Sequence, residues 1–444
     1  MKLQNPRGMR DLSPEESILR NKLINVFKQT FENYGFSPLE TPIIERFDVL
    51  SAKYAGGEEI LKETFKLKDQ GKRQLGLRYD LTVPLARYVG MNPQIKLPFK
   101  RYQIGNVYRD GPIKLGRTRE FIQCDADIIG SSSPIADSEL LLLTSRIFEK
   151  LNLKVEIKLN SRKILNAIME ALEIPEKDKI EFILSLDKLE KIGVNGVKED
   201  LKRKGIKEYR EINSLLSTAK IKSPGELKKY IKKLFEKKKK KFENTDFEKG
   251  FDDVEEILNY LKGLRIKNVE FSGALARGLA YYTGPVFEVF LKNSEIKSSV
   301  AAGGRYDEMI GKFLENKSYY LATGISFGLE PIIKAIKTRN EDIKKTVTEI
   351  YIIPINTLKE SLDIAEELRR DNINVDVAFD KKGVGKSLEY ADKMEIPYSI
   401  IIGEDELNKS KVKLKNMKTG EEKLLNLKDV ALAVEYGEKT KKSK

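Results

Sequence analysis

The stretch Gly105–Gly130, GNVYRDGPIKLGRTREFIQCDADIIG, sets two runs of alternating apolar and polar residues on either side of a glycine-bearing turn. That pattern predicts an antiparallel hairpin. In its second run, period-two alternation sends Gln123, Asp125 and Asp127 to one face and Ile122, Cys124, Ala126 and Ile128 to the other. The polar face lines something and the apolar face packs. Arg109 closes the first strand, while Arg117 and Arg119 open the second. Three guanidiniums around one turn repel one another unless a polyanion sits among them, and arginine's planar fork suits phosphate oxygens. The competing reading is a solvated edge hairpin.

Composition narrows the chemistry. The chain has 444 residues, enough for two or three domains, and Lys plus Arg exceed Asp plus Glu by 82 to 68. A formal charge of +14 suits a polyanionic partner such as nucleic acid, although a lysine-rich surface style has the same signature. Histidine is absent, and Cys124 is the one cysteine. Ser-His-Asp and Cys-His nucleophiles, paired-cysteine redox motifs and ordinary zinc sites are thereby excluded. What remains is carboxylate, Arg, Lys, Tyr, hydroxyl and backbone chemistry with a hard cation such as Mg²⁺, which favours phosphoryl or nucleotidyl transfer. A single thiol, an N-terminus without an apolar signal core and the lack of a long apolar run lead us to expect a cytoplasmic protein away from membranes.

Outward from the hairpin, Ser13-Pro14-Glu15-Glu16 carries the capping-box pattern and predicts a helix that ends at Gly35. In FSPLETPIIE, Pro38 and Pro42 suit an edge or interface strand. RQLGLRYDLTVPLARYV reads as a strand ending near Asp80, with Thr82 placed to cap the helix that follows. Helix is expected over Ser133–Leu151 and strand over Val155–Leu159. Residues 164–264 then run Glu-, Lys- and Leu-heavy, with consecutive lysines from Lys237 to Lys241, and read as a helical insertion between the two halves of one sheet. The sheet resumes in VEFSGALARGLAYYTGPVFEVFLK and AAGGRYDEMIGKF, followed by ATGISFGLE, where Gly324 and Gly328 share a strand face and leave room for a flat group. Beyond a linker at about 338–345, alternating strands and helices predict a compact α/β domain with a mostly parallel sheet. GVGKS within it is rejected as a P-loop, because Asp380 stands where the leading glycine belongs.

RYDLTVPLARY, the Arg109–Gly130 hairpin, LARGLAYYTG, GGRYD and ATGISFGLE, in that order, closely resemble histidyl-tRNA synthetase over nearly the whole chain. The resemblance implies a class II α+β catalytic domain, an antiparallel sheet flanked by helices, made of residues 1–163 and 265–337. It also implies a helical insertion at 164–264, a C-terminal α/β anticodon-binding domain at 346–436, and a homodimer. The implied substrates are L-histidine, ATP with Mg²⁺, and tRNA(His). By position, Arg109 and Arg277 would hold the α-phosphate, and Asp80, Thr82 and Gln123 the substrate ammonium. Asp127 and Tyr282, with Tyr281 beside them, would read the imidazole. Phe121 would stack on adenine, with Arg117 and Arg119 near the outer phosphates. Three positions depart from the family: Pro331 replaces the usual arginine of the third motif, Gly111 follows Asp110 in a shortened turn, and Ala280 stands where many members have Asp. The first leaves a phosphate contact to be supplied by Arg117, Arg119 or Arg305. It also motivates an alternative, a histidine-sensing paralogue that regulates an ATP phosphoribosyltransferase.

Overall fold

The computed structural model describes residues 2–51, 61–113, 118–206, 221–238, 242, 245–277, 281–314, 320–339, 343–379 and 383–442. Two compact units divide it, one of residues 1–10 and 23–340, the other of residues 11–22 and 341–444.

The first unit is organised on an eight-stranded sheet ordered β1-β5-β6-β11-β10-β9-β7-β8. The strands are β1 (Ser37–Pro38), β5 (Phe99–Tyr108), β6 (Glu120–Ile129), β7 (Val155–Ser161), β8 (Val269–Phe271), β9 (Pro285–Leu291), β10 (Ala301–Arg305) and β11 (Ala322–Gly328). The pairs from β5 to β7 are antiparallel, while β1 and β8 join the two edges in parallel. β5 and β6 form the expected hairpin, with Arg101 opposite Asp127 and Tyr108 opposite Glu120. A small second sheet pairs β2 (Ile44–Arg46) and β3 (Lys66–Lys68) with β4 (Gln74–Leu77).

Alternation decides the two faces. On one, Phe27 and Phe31 of the first helix, Phe148 of the helix Pro134–Lys150, Tyr102 and Phe327 form a fully interior aromatic cluster with centroids 5.1 to 6.2 Å apart. The other face carries the polar residues of β6. The first helix runs Pro14–Asn33, and the Ser13 hydroxyl accepts from the Glu16 amide as its capping pattern requires. Among the described residues, helices Arg162–Ala171, Glu176–Leu186, Leu189–Arg203, Pro224–Lys237 and Thr245–Gly263 lie between β7 and β8, where a helical insertion was expected. The first and last of these pack on β7, so the ends of the insertion are part of the sheet's cover.

In the second unit, β12 (Ile350–Pro354), β13 (Val375–Val377) and β14 (Tyr398–Ile402) pair in parallel. β15 (Val412–Asn416) and β16 (Glu422–Leu425) add antiparallel strands on one side, so the sheet is mixed where a mostly parallel one was expected. Ile350, Ile352, Leu368, Ile400 and Ile402 centre its own core.

Candidate active site

A cavity of about 460 Å³ opens on the polar face of the large sheet. Its floor is β6, β10 and β11, supplying Gln123, Asp125, Asp127, Gly303, Gly304, Gly324, Ser326 and Gly328. Its walls are Tyr79, Asp80 and Thr82, the hairpin's Arg109 and Phe121, and Arg277, Tyr281, Tyr282 and Tyr306. Leu184, Asp187 and Lys188, from the end of one insertion helix and the turn after it, complete the lining. Arg109 and Arg277, 168 positions apart in the chain, thus face one space.

Each wall has a local cause. β4 ends at Leu77, and the chain turns through Asp80 into the helix Thr82–Met91. The Asp80 carboxylate accepts from the Thr82 amide at 3.1 Å and the Val83 amide at 2.9 Å. Leu81 holds the N-cap position with no side-chain bond of its own, and the Asp80 carboxylate one residue earlier does the capping, so Thr82 is the first helical residue, correcting the expectation that Thr82 would cap; a carboxylate suits the helix N-terminus better than a neutral hydroxyl. Burial raises the Asp80 pKa, and the Val83 amide and Arg109 work against that rise. Arg109 lies between the rings of Tyr79 and Phe121, with its guanidinium carbon 4.2 and 4.9 Å from their centroids. One face of Phe121 is thus already occupied by a cation.

Asp127 sits at the floor. Its Oδ2 is 2.8 Å from the guanidinium of Arg101, a wholly buried arginine that also donates to the Leu81 carbonyl, and its Oδ1 accepts from the Tyr306 hydroxyl at 2.5 Å. Burial raises its pKa, while Arg101 and Tyr306 oppose the shift. Gly324, directly across from Asp127, leaves that carboxylate its space, since a Cβ there would lie 1.9 Å from Oδ1. Gln123 donates to the Ser326 hydroxyl at 2.5 Å. Arg277 is paired with Glu288 of β9. Burial by itself would lower its pKa, but Tyr282, Glu288 and Asp187 hold it above arginine's ordinary value.

Of the residues singled out in the sequence, Asp80, Thr82, Arg109, Phe121, Gln123, Asp127, Arg277, Tyr281 and Tyr282 all line this cavity. Arg119 does not. It is tied to the turn, 3.0 Å from Asp110, and its side chain packs beside Gly8, whose φ of +85° and lack of a Cβ make room for it. Arg117 lies outside the described residues, as do Gly278, Ala280 and Lys239–Lys241. Arg305 does not supply the missing phosphate contact: it is buried against Asp137 and donates to the Ser131 and Ser133 carbonyls. Pro331 stands in the first turn of the helix Leu329–Lys337, whose Glu330 instead accepts from the Ile122 amide. Sequence reading passed over Arg101, Tyr306, Ser326, Glu288 and the insertion residues at the rim. Tyr306 lay within the quoted GGRYD, whereas nothing local marks Arg101.

An antiparallel sheet with helices behind it and two arginines converging on its open face defines a class II aminoacyl-tRNA synthetase catalytic domain, here with a separate α/β unit after it. A family model described as histidyl-tRNA synthetase matches residues 8–332, and one described as an anticodon binding domain matches residues 349–436. Histidine–tRNA ligase 1 of Bacillus cereus is 45% identical over 427 residues, covering 95% of each chain. The crystal structure of histidyl-tRNA synthetase from Nostoc sp. PCC 7120 aligns with a TM-score of 0.84 at 30% identity, over 98% of this chain and 99% of that one. A Bacillus halodurans protein described as an ATP phosphoribosyltransferase regulatory subunit/histidyl-tRNA synthetase has TM-score 0.71 at 21% identity, over 88% of this chain and 97% of that one, which speaks to fold alone. The chain belongs to the histidyl-tRNA synthetase family.

Proposed function

We propose that this chain activates L-histidine with ATP and transfers it to the 3′ end of tRNA(His). One observation carries the reading: Arg109 and Arg277 face the same cavity as Asp80, Gln123 and Asp127, so a cationic amino group and a polyanionic phosphate can be held side by side. In the first step the histidine carboxylate attacks the α-phosphorus of ATP and pyrophosphate leaves. No protein nucleophile is needed, so the work is positioning and charge neutralisation. Arg109, braced between two rings, and Arg277, braced by Glu288, hold the α-phosphate as negative charge builds there. Asp127, kept by Arg101 and Tyr306 in one orientation, accepts from one imidazole N–H, and Tyr282 bonds the other ring nitrogen. A wrong amino acid would leave these buried groups unpaired.

Among the described residues no cluster of three acidic side chains could hold a metal. Mg²⁺ would then come with ATP, ligated mainly by phosphate and water, and would supply charge neutralisation to the leaving pyrophosphate. The net charge and the second unit, which matches an anticodon-binding domain, support tRNA as partner. The same match weighs against the purely regulatory reading. Exposed Ile43, Ile44 and Leu67 around the small sheet support a homodimer through that region. No helix among the described residues is long and apolar enough to cross a membrane.

The test is histidine-dependent exchange of labelled pyrophosphate into ATP, followed by charging of tRNA(His). Exchange that is absent, or equal with other amino acids, would remove the assignment.

A further inference from the structure

Arg277 is carried by the segment between β8 and β9, which has this arginine toward one end and Tyr281 and Tyr282 toward the other. Pairing with Glu288 fixes the guanidinium of Arg277 but not the backbone beneath it. The backbone hold comes from Asn160 and Arg162, where β7 gives way to the helix Arg162–Ala171. β8 runs parallel beside β7, and the Ser272 amide extends that ladder by donating to the Leu159 carbonyl at 2.9 Å. Immediately beyond, the side-chain nitrogen of Asn160 donates to the Gly273 carbonyl at 3.3 Å and to the Leu275 carbonyl at 2.9 Å. Asn160 is wholly buried, and Leu275 and Ala276 are buried with it, so these carbonyls depend on the asparagine amide rather than on bulk water. At the far end of the segment the Arg162 amide donates to the Gly284 carbonyl at 2.8 Å. The Arg277 end is therefore held by a side chain and the Tyr282 end by a backbone amide. Only the first hold can be removed by substitution.

We infer that Asn160 is a positioning residue for the activation step: it sets the backbone from which Arg277 reaches the α-phosphate, and so governs the rate of adenylate formation while standing outside the cavity lining. The inference rests on the reading of Arg277 given above and deepens it. A carboxamide brings two N–H donors, and here each meets one carbonyl of the turn that leads into Arg277. Without them the two buried carbonyls are left unpaired, and the turn shifts to find other donors. A displacement of about 1 Å is enough to spoil a preorganised contact, and one that acts where charge builds up is lost from the transition state rather than from substrate binding. Tyr282, at the other end, keeps the Arg162–Gly284 bond, so recognition of the amino acid is spared.

The experiment compares pyrophosphate exchange by the full-length parent and by Asn160→Leu, which roughly keeps the volume and removes both donors. The kcat should fall by about 10- to 100-fold, with the KM for histidine within about threefold of the parent. In an Arg277→Lys background, where the arginine fork is already gone, the same substitution should cost less than about threefold, because both changes act on one group. A kcat within about threefold of the parent would overturn the inference, as would a histidine KM that rises as much as kcat falls, or an undiminished loss in the Arg277→Lys background. Should Asn160→Leu not fold, Asn160→Ser, whose hydroxyl offers one donor on a shorter stem, takes its place in the same comparison. If the parent shows no exchange, the enzyme reading fails by itself. Amide hydrogen exchange over residues 272–277 then still decides the role of Asn160: about tenfold faster exchange in the variant, with the second unit unchanged, supports the hold, and equal exchange overturns it.

Discussion

Adding one carbon at Gly324 is the sharpest perturbation the site offers. A Cβ at this position would stand 1.9 Å from Asp127 Oδ1 and 2.6 Å from its Cγ, about 1.5 Å inside ordinary van der Waals contact. The backbone has little room to yield, because β11 is paired on both sides, Gly324 opposite Asp127 in β6 and opposite Gly304 in β10. The Asp127 side chain must turn away instead, loosening its contacts with Tyr306 and Arg101. Displacing a buried, paired carboxylate costs on the order of 3 kcal/mol, and Asp127 is the group proposed to orient the imidazole. Gly324→Ala should therefore raise the KM for histidine by roughly a hundredfold, with the KM for ATP nearly unchanged. Pyrophosphate exchange at saturating ATP measures the effect, and a thermal melt separates it from global loss of structure. A folded variant with a histidine KM within threefold of the parent would refute the placement of Asp127 against the substrate ring.

Other expectations follow from the same geometry. Arg277→Lys keeps a charge but loses the fork that reaches Glu288 and phosphate together, so the exchange rate should fall by about 10² to 10³ while the histidine KM moves only a few fold; equal losses in both would mean the arginine acts elsewhere. Burial, eased by Arg101 and aggravated by Asp127, pushes the Asp125 carboxyl up to about 7. The unfolded chain releases this proton near pH 4 and the empty native site near pH 7, so the group's stabilising contribution, complete at low pH, is lost as pH rises through 7. Asp125→Asn should then gain on the parent by roughly 2–3 kcal/mol between pH 5 and pH 8 in chemical denaturation without substrate. A variant-minus-parent difference that is flat over that range would contradict this. Arg101→Met strands Asp127 and should destabilise the first unit by about 3–5 kcal/mol, with partial recovery in Arg101→Met/Asp127→Asn; additive losses in the double variant would show that the two do not interact.

The hairpin, its polar and apolar faces, the first helix with its cap and the strand–helix alternation of the second unit were all legible from the sequence. They depend on side-chain period, capping chemistry and turn residues, which act over a few positions and do not require knowing what packs where. The cavity-lining residues of β6 were legible for a related reason, because a row of polar groups on a strand whose reverse face is apolar has to line something, whereas the pairing of Arg109 with Arg277 followed from the family resemblance. Partnership could not be read this way. That Asp80 caps a helix, that Arg305 is spent on Asp137, that Arg119 is held by Asp110, and that a buried arginine at 101 anchors Asp127 all depend on strand register and on which charges share a dry interior. The same holds for Asp125. The pleat puts it beside Gln123 and Asp127, but only the folded sheet shows how deeply it is buried and which of its neighbours, Arg101, Asp127 and Ser326, act on its charge. Alternation along a strand is set within the strand, whereas compensation of a buried charge is set by elements distant in sequence, and the chain has to fold before the count can be taken.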